Sequence, residues 1–110
     1  MGTFVITKSN ADGQFYFALK AGNQEKILSS EGYTTKASCI SGTDAVRVNA
    51  KDYSRYVKAT ASDGRYYFTL TAVNGQTIGT SQMYEGSSGR ETGIASVKAN
   101  APDAAVDDQA

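Results

Sequence analysis

Apolar and polar side chains alternate in two stretches of the chain, residues 15–21 and residues 66–72. A period of two is typical of a β-strand with one buried face, and it puts Phe17, Leu19, Phe68 and Leu70 on that face. An Asp-Gly pair precedes each stretch, at residues 12–13 and 63–64, and predicts a two-residue hairpin turn. Three-residue loops at residues 22–24 and 73–75 lead into a further strand. Each half of the chain is therefore predicted to begin with three antiparallel strands.

The turn lengths also predict which residues pair across the strands. In the first half, a two-residue turn sets Ile6 opposite Leu19, on the apolar face. In the second half, the same turn sets Val57 opposite Leu70 and leaves Tyr56 on the other face, unless a bulge shifts the register. The expected partners across the three-residue loops are Ile27 with Leu19 and Ile78 with Leu70.

After residue 33 the alternation ends and a helix is predicted. Thr34 and Thr35 supply hydroxyl groups suited to capping, and Cys39, Thr43 and Val46 follow at helical spacing as inward positions. The second half repeats this pattern, with Ile94 as an inward position. Its helix is expected to be shorter, because residues 85–89 are typical of a loop. Gly42 and Gly93 lie inside the helices and imply a close approach to the sheet or to the other helix.

The two halves are copies of one unit. Residues 12–19 return as residues 63–70, and the match continues to the Asn-Ala pairs at residues 49–50 and 100–101. We therefore predict an α+β fold of tandem β-β-β-α repeats, with a six-stranded antiparallel sheet, two helices packed on one face and pseudo-twofold symmetry. Residues 3–50 and 54–101 are the expected repeats, within a single domain of residues 1–101. The acidic residues 102–110 are expected to form a disordered tail.

Composition argues against several functions. The 11 basic and 11 acidic residues balance, so no net field attracts nucleic acid or anionic lipid. The chain contains no histidine, which removes the commonest general base and metal ligand. Cys39 is expected to be a small buried hydrophobe, and Glu31 and Glu85, near Tyr33 and Tyr84, to complement helix dipoles rather than act as acid and base. We expect no enzymatic activity, no catalytic residue, no metal site and no cofactor. A single cysteine and no recognisable leader suggest a cytoplasmic protein.

The strongest candidate for a function is the sheet face that the helices leave uncovered. The alternation predicts aromatic and cationic side chains there, namely Tyr16, Lys20, Tyr56, Lys58 and Tyr67. Tyrosine is enriched where proteins contact one another, so we interpret this face as the surface of a binding or interaction module. The partner is unknown, and both a protein partner and self-association remain open. The alternative is single-stranded nucleic acid, whose bases stack on aromatic rings beside cations. No membrane contact is expected.

Three segments of the chain resemble the YegP-like family of short bacterial repeat proteins: residues 15–23, residues 30–38 and residues 93–100. The resemblance extends over almost the whole chain except the tail. It implies β-β-β-α repeats, singly or in tandem, and no established activity, cofactor or catalytic residue. The first repeat departs from the family pattern at Gly42-Thr43, where the second has Gly93-Ile94, so the two helices are expected to differ in packing at this position.

Overall fold

The computed structural model describes residues 2–110, so Met1, the first residue of the predicted domain, lies outside it. The first repeat contains strands β1, β2 and β3 and helix α1, and the second contains β4, β5 and β6 and helix α2. A final strand, β7, follows. Their bounds are β1 Thr3–Lys8, β2 Phe15–Lys20, β3 Lys26–Ser29, α1 Lys36–Asn49, β4 Tyr56–Thr60, β5 Tyr66–Thr71, β6 Thr77–Thr80, α2 Ser87–Asn100 and β7 Ala105–Asp108. The predicted α+β class and the order of elements within the repeats are confirmed.

The strands form one sheet in the order β4-β5-β6-β3-β2-β1-β7. The two repeats join at the centre, where Ser29 of β3 pairs with Thr80 of β6. At one edge, β7 lies parallel to β1, from Ala105 beside Thr3 to Asp108 beside Ile6. The sheet therefore has seven strands and is mixed, and the prediction of six antiparallel strands is wrong in both respects.

Residues 105–108 are a strand rather than part of a disordered tail. Backbone bonds hold the two ends of β7, since the amide of Ala105 donates to the carbonyl of Gly2 and the amide of Gln109 donates to that of Ile6. Helix α1 contributes two side chains, Lys36, which pairs with Asp108, and Arg47, which donates to the carbonyl of Ala104. The composition of this segment is typical of a tail. It forms a strand because the edge of β1 presents backbone amide and carbonyl groups with which its own backbone can form hydrogen bonds.

The first hairpin of each repeat is longer than predicted. The loop occupies residues 9–14 in the first repeat and residues 61–65 in the second, and Gly13 and Gly64 take positive φ values of 71° and 89° while their Asp neighbours do not. In the first repeat, Ile6 consequently faces Phe17 rather than Leu19, a shift of two residues that keeps it on the buried face. In the second repeat, the shift is one residue and reverses the face of every side chain in β4.

The three-residue loops are confirmed, and Gly75 has the positive φ that such a loop requires. The residue opposite Leu19 is, however, Leu28, and the residue opposite Leu70 is Gly79. A shift of register in β3 and in β6 adds one residue at this point, so Ile27 and Ile78 are not the direct partners expected.

Both helices have 14 residues, so the prediction of a shorter α2 is wrong. Thr35 caps α1, and its hydroxyl accepts from the amide of Ser38 at 3.1 Å. Helix α2 starts after Gly86 without any side-chain cap. Packing against the sheet therefore compensates for a poor start of this helix.

One sheet face carries the core. The strand residues of this core are Phe4 and Ile6 of β1, Phe17 and Leu19 of β2, and Phe68 and Leu70 of β5. They pack against the inward residues of both helices, including Cys39, Thr43, Val46, Ile94 and Val97. The glycines within the helices contact aromatic rings. A Cβ on Gly42 would lie 2.8 Å from Cζ of Tyr33, and one on Gly93 would lie 2.5 Å from Cζ of Tyr84. The expected close approach is therefore made to a tyrosine in each repeat.

Candidate binding face

Three of the five predicted site residues lie on the face of the sheet that the helices leave free, which we call the open face. Tyr16 and Lys20 are on β2, where they alternate with the buried Phe17 and Leu19. Tyr67 occupies the corresponding place on β5. Tyr16 and Tyr67 are half-buried. The alternation along β2 and β5 therefore predicted the position of these residues correctly.

Tyr56 was predicted on the open face and is instead in the core. It lies opposite Leu70, is 7% exposed and packs edge-on against Phe68 at a ring-centroid distance of 5.6 Å. Its hydroxyl donates to the carbonyl of Ala50 at 2.8 Å, and burial raises its pKa strongly. The cause of the error is the five-residue loop of the second repeat, which moves β4 by one residue.

Lys58 was also predicted on the open face, and like Tyr56 it lies on the helix side of the sheet. It lies opposite Phe68 and its ammonium pairs with Glu91 of α2 at 2.7 Å. Hydrogen bonding to Glu91 raises the pKa of Lys58 and lowers that of the carboxyl. Glu91 also accepts from the hydroxyl of Tyr53, so Lys58 is committed to a surface network between β4 and α2. It does not contribute to the open face.

A groove of about 430 Å³ runs over the open face of the first repeat. Its floor and walls come from strands β1, β2 and β3, and Gln109 of the chain end adds to one side. The lining residues are Val5, Thr7, Tyr16, Phe17, Ala18, Lys20, Lys26, Ser29, Ser30 and Gln109. The groove thus includes Tyr16 and Lys20, the two predicted residues of this repeat.

Tyr16 borders the groove and its hydroxyl has a partner. The hydroxyl donates to Oδ2 of Asp12 at 2.6 Å. This bond lowers the pKa of the Asp12 carboxyl and raises that of the phenol. Because the hydroxyl is engaged within the hairpin, the ring is the part of Tyr16 that is free to contact a ligand.

Lys26 is a site residue that the alternation did not single out. It lies directly opposite Lys20 across β2 and β3. Within residues 2–110, the ion pairs involve neither lysine. The signal was available in the sequence, because the predicted register that sets Ile27 opposite Leu19 also sets Lys26 opposite Lys20. The bulge lies beyond this pair, between Leu19 and Lys20, and does not alter it.

The second repeat differs at the same positions. Thr71 and Thr77 form the pair that corresponds to Lys20 and Lys26. Farther along, Thr69 and Thr80 face one another where the first repeat has Ala18 and Ser29. The smaller pair in the first repeat gives depth to the groove, because less side-chain volume stands on the sheet there.

The tyrosines that were weighed as acid–base partners are structural. Tyr33 stacks on Phe17 with ring centroids 6.1 Å apart, and Tyr84 stacks on Phe68 at 6.4 Å. Tyr84 lines a second cavity of about 370 Å³, which includes Glu25 but not Glu85. The geometry therefore does not gather Tyr84 with the carboxylate that was considered as its partner.

Cys39 has the environment of a core residue. Cys39 is fully buried, and burial raises the pKa of its thiol, as expected for a packing residue. Neither helix in the described part of the chain is long and apolar enough to cross a membrane. Residues 2–110 contain no group of three or more cysteine and carboxylate side chains arranged to hold a metal ion.

Comparison with known proteins identifies relatives over nearly the whole chain. A family model described as "Domain of unknown function (DUF1508)" matches twice, at residues 10–56 and 61–108, which agrees with the internal duplication. The UPF0339 protein YegP of Shigella flexneri is 55% identical over 107 residues, which are 97% of this chain and 96% of that protein.

Solved structures of two such proteins have the same fold. The solution NMR structure of yegP from E. coli, described as a protein of unknown function, has a TM-score of 0.92 at 54% identity and covers 98% of this chain and 92% of its own. The UPF0339 protein SO3888 from Shewanella oneidensis has a TM-score of 0.90 at 43% identity and covers 97% of this chain and 90% of its own. None of these descriptions assigns an activity.

Proposed function

This chain belongs to the DUF1508 family of proteins of unknown function, and we propose that it is a non-enzymatic binding module whose ligand occupies the groove on the open face of the first repeat. The observation that carries this proposal is the composition of the groove. An aromatic ring, Tyr16, and two cations without carboxylate partners, Lys20 and Lys26, border about 430 Å³ of space. Ligand sites commonly combine a concave, partly apolar surface with a few polar groups.

The lack of enzymatic activity is part of the proposal. General acid–base and nucleophilic catalysis mostly depend on histidine, of which the sequence has none. The single thiol, Cys39, is buried in the core with a raised pKa. Binding without chemistry is therefore the function that these residues support best.

We also infer that the repeats are related by a pseudo-twofold axis through the centre of the sheet. The supporting observation is the antiparallel pairing of Ser29 with Thr80, which are equivalent positions in the two repeats. A strand that pairs with its own equivalent has this arrangement in a C2 dimer. The duplicated chain then completes internally a core that a single repeat would complete with a second chain.

Single-stranded nucleic acid is the second candidate ligand. Tyr16 and Tyr67 are equivalent open-face tyrosines, and the strand order places three strand spacings, about 14 Å, between β2 and β5. Two such rings, of which Tyr16 shares the groove with Lys20 and Lys26, provide stacking positions for bases. Neutral net charge weighs against this ligand, since phosphate-backbone binding depends on many cationic contacts.

The test is an amide chemical-shift titration of the labelled protein with eight-nucleotide DNA and RNA and then with soluble bacterial extract. We expect perturbed amides to cluster at Tyr16, Ala18, Lys20 and Lys26. Tyr16→Ala should weaken the response without unfolding the protein, and Tyr53→Ala, away from the groove, is the matched control. Perturbations on the helices, or none on the open face with any probe, would overturn the proposal. A response to the oligonucleotides that declines steeply with salt would favour nucleic acid as the ligand.

A further inference from the structure

Lys20 and Lys26 form an arrangement that costs stability unless an anion lies between them. Residues directly opposite each other on antiparallel strands have Cβ atoms about 4.5–5.5 Å apart, and like charges on such a pair of residues destabilise the sheet. The two lysines occupy such a cross-strand position in the register of β2 and β3. Both side chains belong to the groove. A pair of cations with no function would be an unfavourable feature of this sheet.

The carboxylates nearest along the chain and across the sheet are otherwise engaged. Glu25 precedes Lys26, but its carboxylate accepts from the side-chain amide of Gln82 at 2.6 Å. Asp107 lies beside Val5 at the far edge of the sheet, and its carboxylate accepts from the side chain of Gln109 at 2.9 Å. Neither carboxylate forms a salt bridge within the described residues. Within residues 2–110, neither lysine of the pair has a carboxylate at salt-bridge distance.

The two ammonium groups are within reach of one place in the groove. A lysine ammonium is a compact point charge on a flexible stem, so both can approach a single group between the strands. This arrangement fits one anion of charge two better than a polymer backbone, in which single charges are spread along a line. A phosphate monoester has close to this charge at pH 7, since its second pKa is about 6, and a terminal diphosphate group carries at least as much.

We propose that Lys20 and Lys26 form an anion subsite that takes the doubly charged phosphate group of a small phosphorylated ligand. This inference rests on the proposed function, because it assigns a ligand class to the same groove. From Lys20 to Tyr16 the groove extends four residues along β2, about 13 Å. The remainder of the ligand lies over Ala18 and reaches the ring of Tyr16. Ser29, opposite Ala18, presents a short polar side chain along this path.

The second repeat supplies the control. Lys20→Thr/Lys26→Thr gives the first repeat the residues that the second has at the same pair, Thr71 and Thr77. The double variant is therefore compatible with the local backbone. A charge-matched control is Lys8→Thr/Lys51→Thr, which removes two exposed lysines outside the groove.

The experiment titrates the labelled protein with inorganic pyrophosphate at constant ionic strength, with chloride as the reference salt. We expect saturable shifts at the amides of Lys20, Lys26 and Ser29. Loss of charge-assisted hydrogen bonds should weaken this binding roughly 10- to 100-fold in Lys20→Thr/Lys26→Thr. The control variant should bind as the parent does. Equal binding by all three proteins, or shifts that do not involve the groove, would overturn the subsite.

The subsite variant also has a readout that needs no ligand. Removing the repulsion should raise the thermal unfolding midpoint of Lys20→Thr/Lys26→Thr in phosphate-free buffer, relative to the charge-matched control. Pyrophosphate should then stabilise the parent and the control but not the subsite variant. A lower midpoint without ligand would mean that the lysines stabilise the sheet by themselves, which contradicts the argument.

Two further probes identify the source of the phosphate and separate this inference from the proposed function. A short oligonucleotide with a 5′-phosphate and the same oligonucleotide without it distinguish a terminal phosphate from a free phosphorylated molecule. Binding that requires the terminal phosphate assigns the oligonucleotide end as a source, and binding by pyrophosphate alone assigns a small molecule. If both oligonucleotides bind the groove and the double variant binds them equally, the subsite is refuted and the binding function stands. If neither these probes nor the bacterial extract perturbs the open face, both are refuted.

Discussion

Replacing Gly93 by alanine tests how the helices pack on the sheet. Gly93 lies in α2 over the ring of Tyr84, which is stacked on Phe68 with an angle of 9° between the ring planes. A Cβ at this position would be 2.5 Å from Cζ and 3.1 Å from Cε2 of that ring. Since the ring is held between the helix and the core, the helix must move away from the sheet to accommodate the methyl group.

Two opposing terms determine the size of the effect. Alanine stabilises a helix interior by about 0.5–1 kcal/mol relative to glycine. Overpacking of a filled core costs about 1–3 kcal/mol, and contacts below 3 Å with a rigid ring belong at the upper end of that range. We therefore expect Gly93→Ala to lower the free energy of unfolding by roughly 1–2 kcal/mol.

The assay is urea unfolding at equilibrium, with Gly89→Ala as the matched control in the same helix. A Cβ on Gly89 would lie 3.4 Å from Cδ1 of Tyr84, an ordinary contact. This variant should therefore be neutral or more stable by up to about 1 kcal/mol. If Gly93→Ala is as stable as Gly89→Ala, the close packing of the helix on the ring is wrong.

A double variant locates the cause. The hydroxyl of Tyr84 is buried and finds no hydrogen-bond partner within residues 2–110. It is also the atom nearest to the Cβ that Gly93→Ala introduces. Tyr84→Phe alone should therefore be neutral or stabilising by up to about 1 kcal/mol. Combined with Gly93→Ala it should reduce the penalty, and additive effects would refute a direct contact.

Three further predictions concern the termini of elements and the corrected register. Tyr56→Phe removes a buried hydroxyl that donates to a backbone carbonyl and should lower the free energy of unfolding in urea by about 1–2 kcal/mol. Tyr67→Phe, on the open face, should change this free energy by no more than about 0.5 kcal/mol. Equal effects of the two variants would contradict the observed register. Thr35→Ala removes the cap of α1 and should cost about 1 kcal/mol, and no change in unfolding would mean that the cap is not formed in solution. The bond from Lys36 holds the pKa of the Asp108 carboxyl below its usual range. The stability that this ion pair gives to β7 is therefore present above about pH 4 and is lost as the pH falls through the lower pKa of the folded state. Asp108→Asn should reduce amide-exchange protection of β7 at pH 7, and unchanged protection would refute this role.

The sequence predicted the interior well because its signal there is redundant. Alternation in β2 and β5, helical spacing in α1 and the repeated unit all identify the same buried residues, among them Phe17, Phe68 and Val46. Each signal alone is weak, but the signals constrain one another. If one element were assigned wrongly, the apolar residues of the element that packs against it would be left exposed. The buried faces of β2, β5 and α1 could therefore be predicted before any register was known, whereas that of β4 depended on its register.

Loop geometry was less accessible to sequence reasoning. An Asp-Gly pair predicts a two-residue turn, but the loops here contain more residues, and only the glycine of each pair takes a positive φ. A two-residue error in the first repeat left Ile6 on the buried face, while a one-residue error in the second moved Tyr56 and Lys58 to the wrong side. The bulge between Leu19 and Lys20 changed only the pairs beyond it, so the position of Lys26 opposite Lys20 could have been predicted from the three-residue loop.

The final strand could not be predicted from its own residues. Segment 105–108 has two carboxylates, small side chains and no alternation, and all four of its residues are exposed. The segment is held in place by other elements, through pairing with the backbone of β1 and contacts with the side chains of Lys36 and Arg47. A segment stabilised by its neighbours carries little of that information in its own composition.

The duplication separates what the fold needs from what a function would add. Positions that face the helices are largely matched in the two repeats, as Phe17 with Phe68 and Leu19 with Leu70 are, because one packing arrangement is built twice. Open-face positions in the first repeat need not match, since no helix covers them. There the lysine pair and the alanine floor of the groove have threonines as their counterparts. Tyr16 and Tyr67 are the matched exception, so a role common to both repeats would depend on the tyrosines, and a role of the first repeat alone would depend on Lys20 and Lys26.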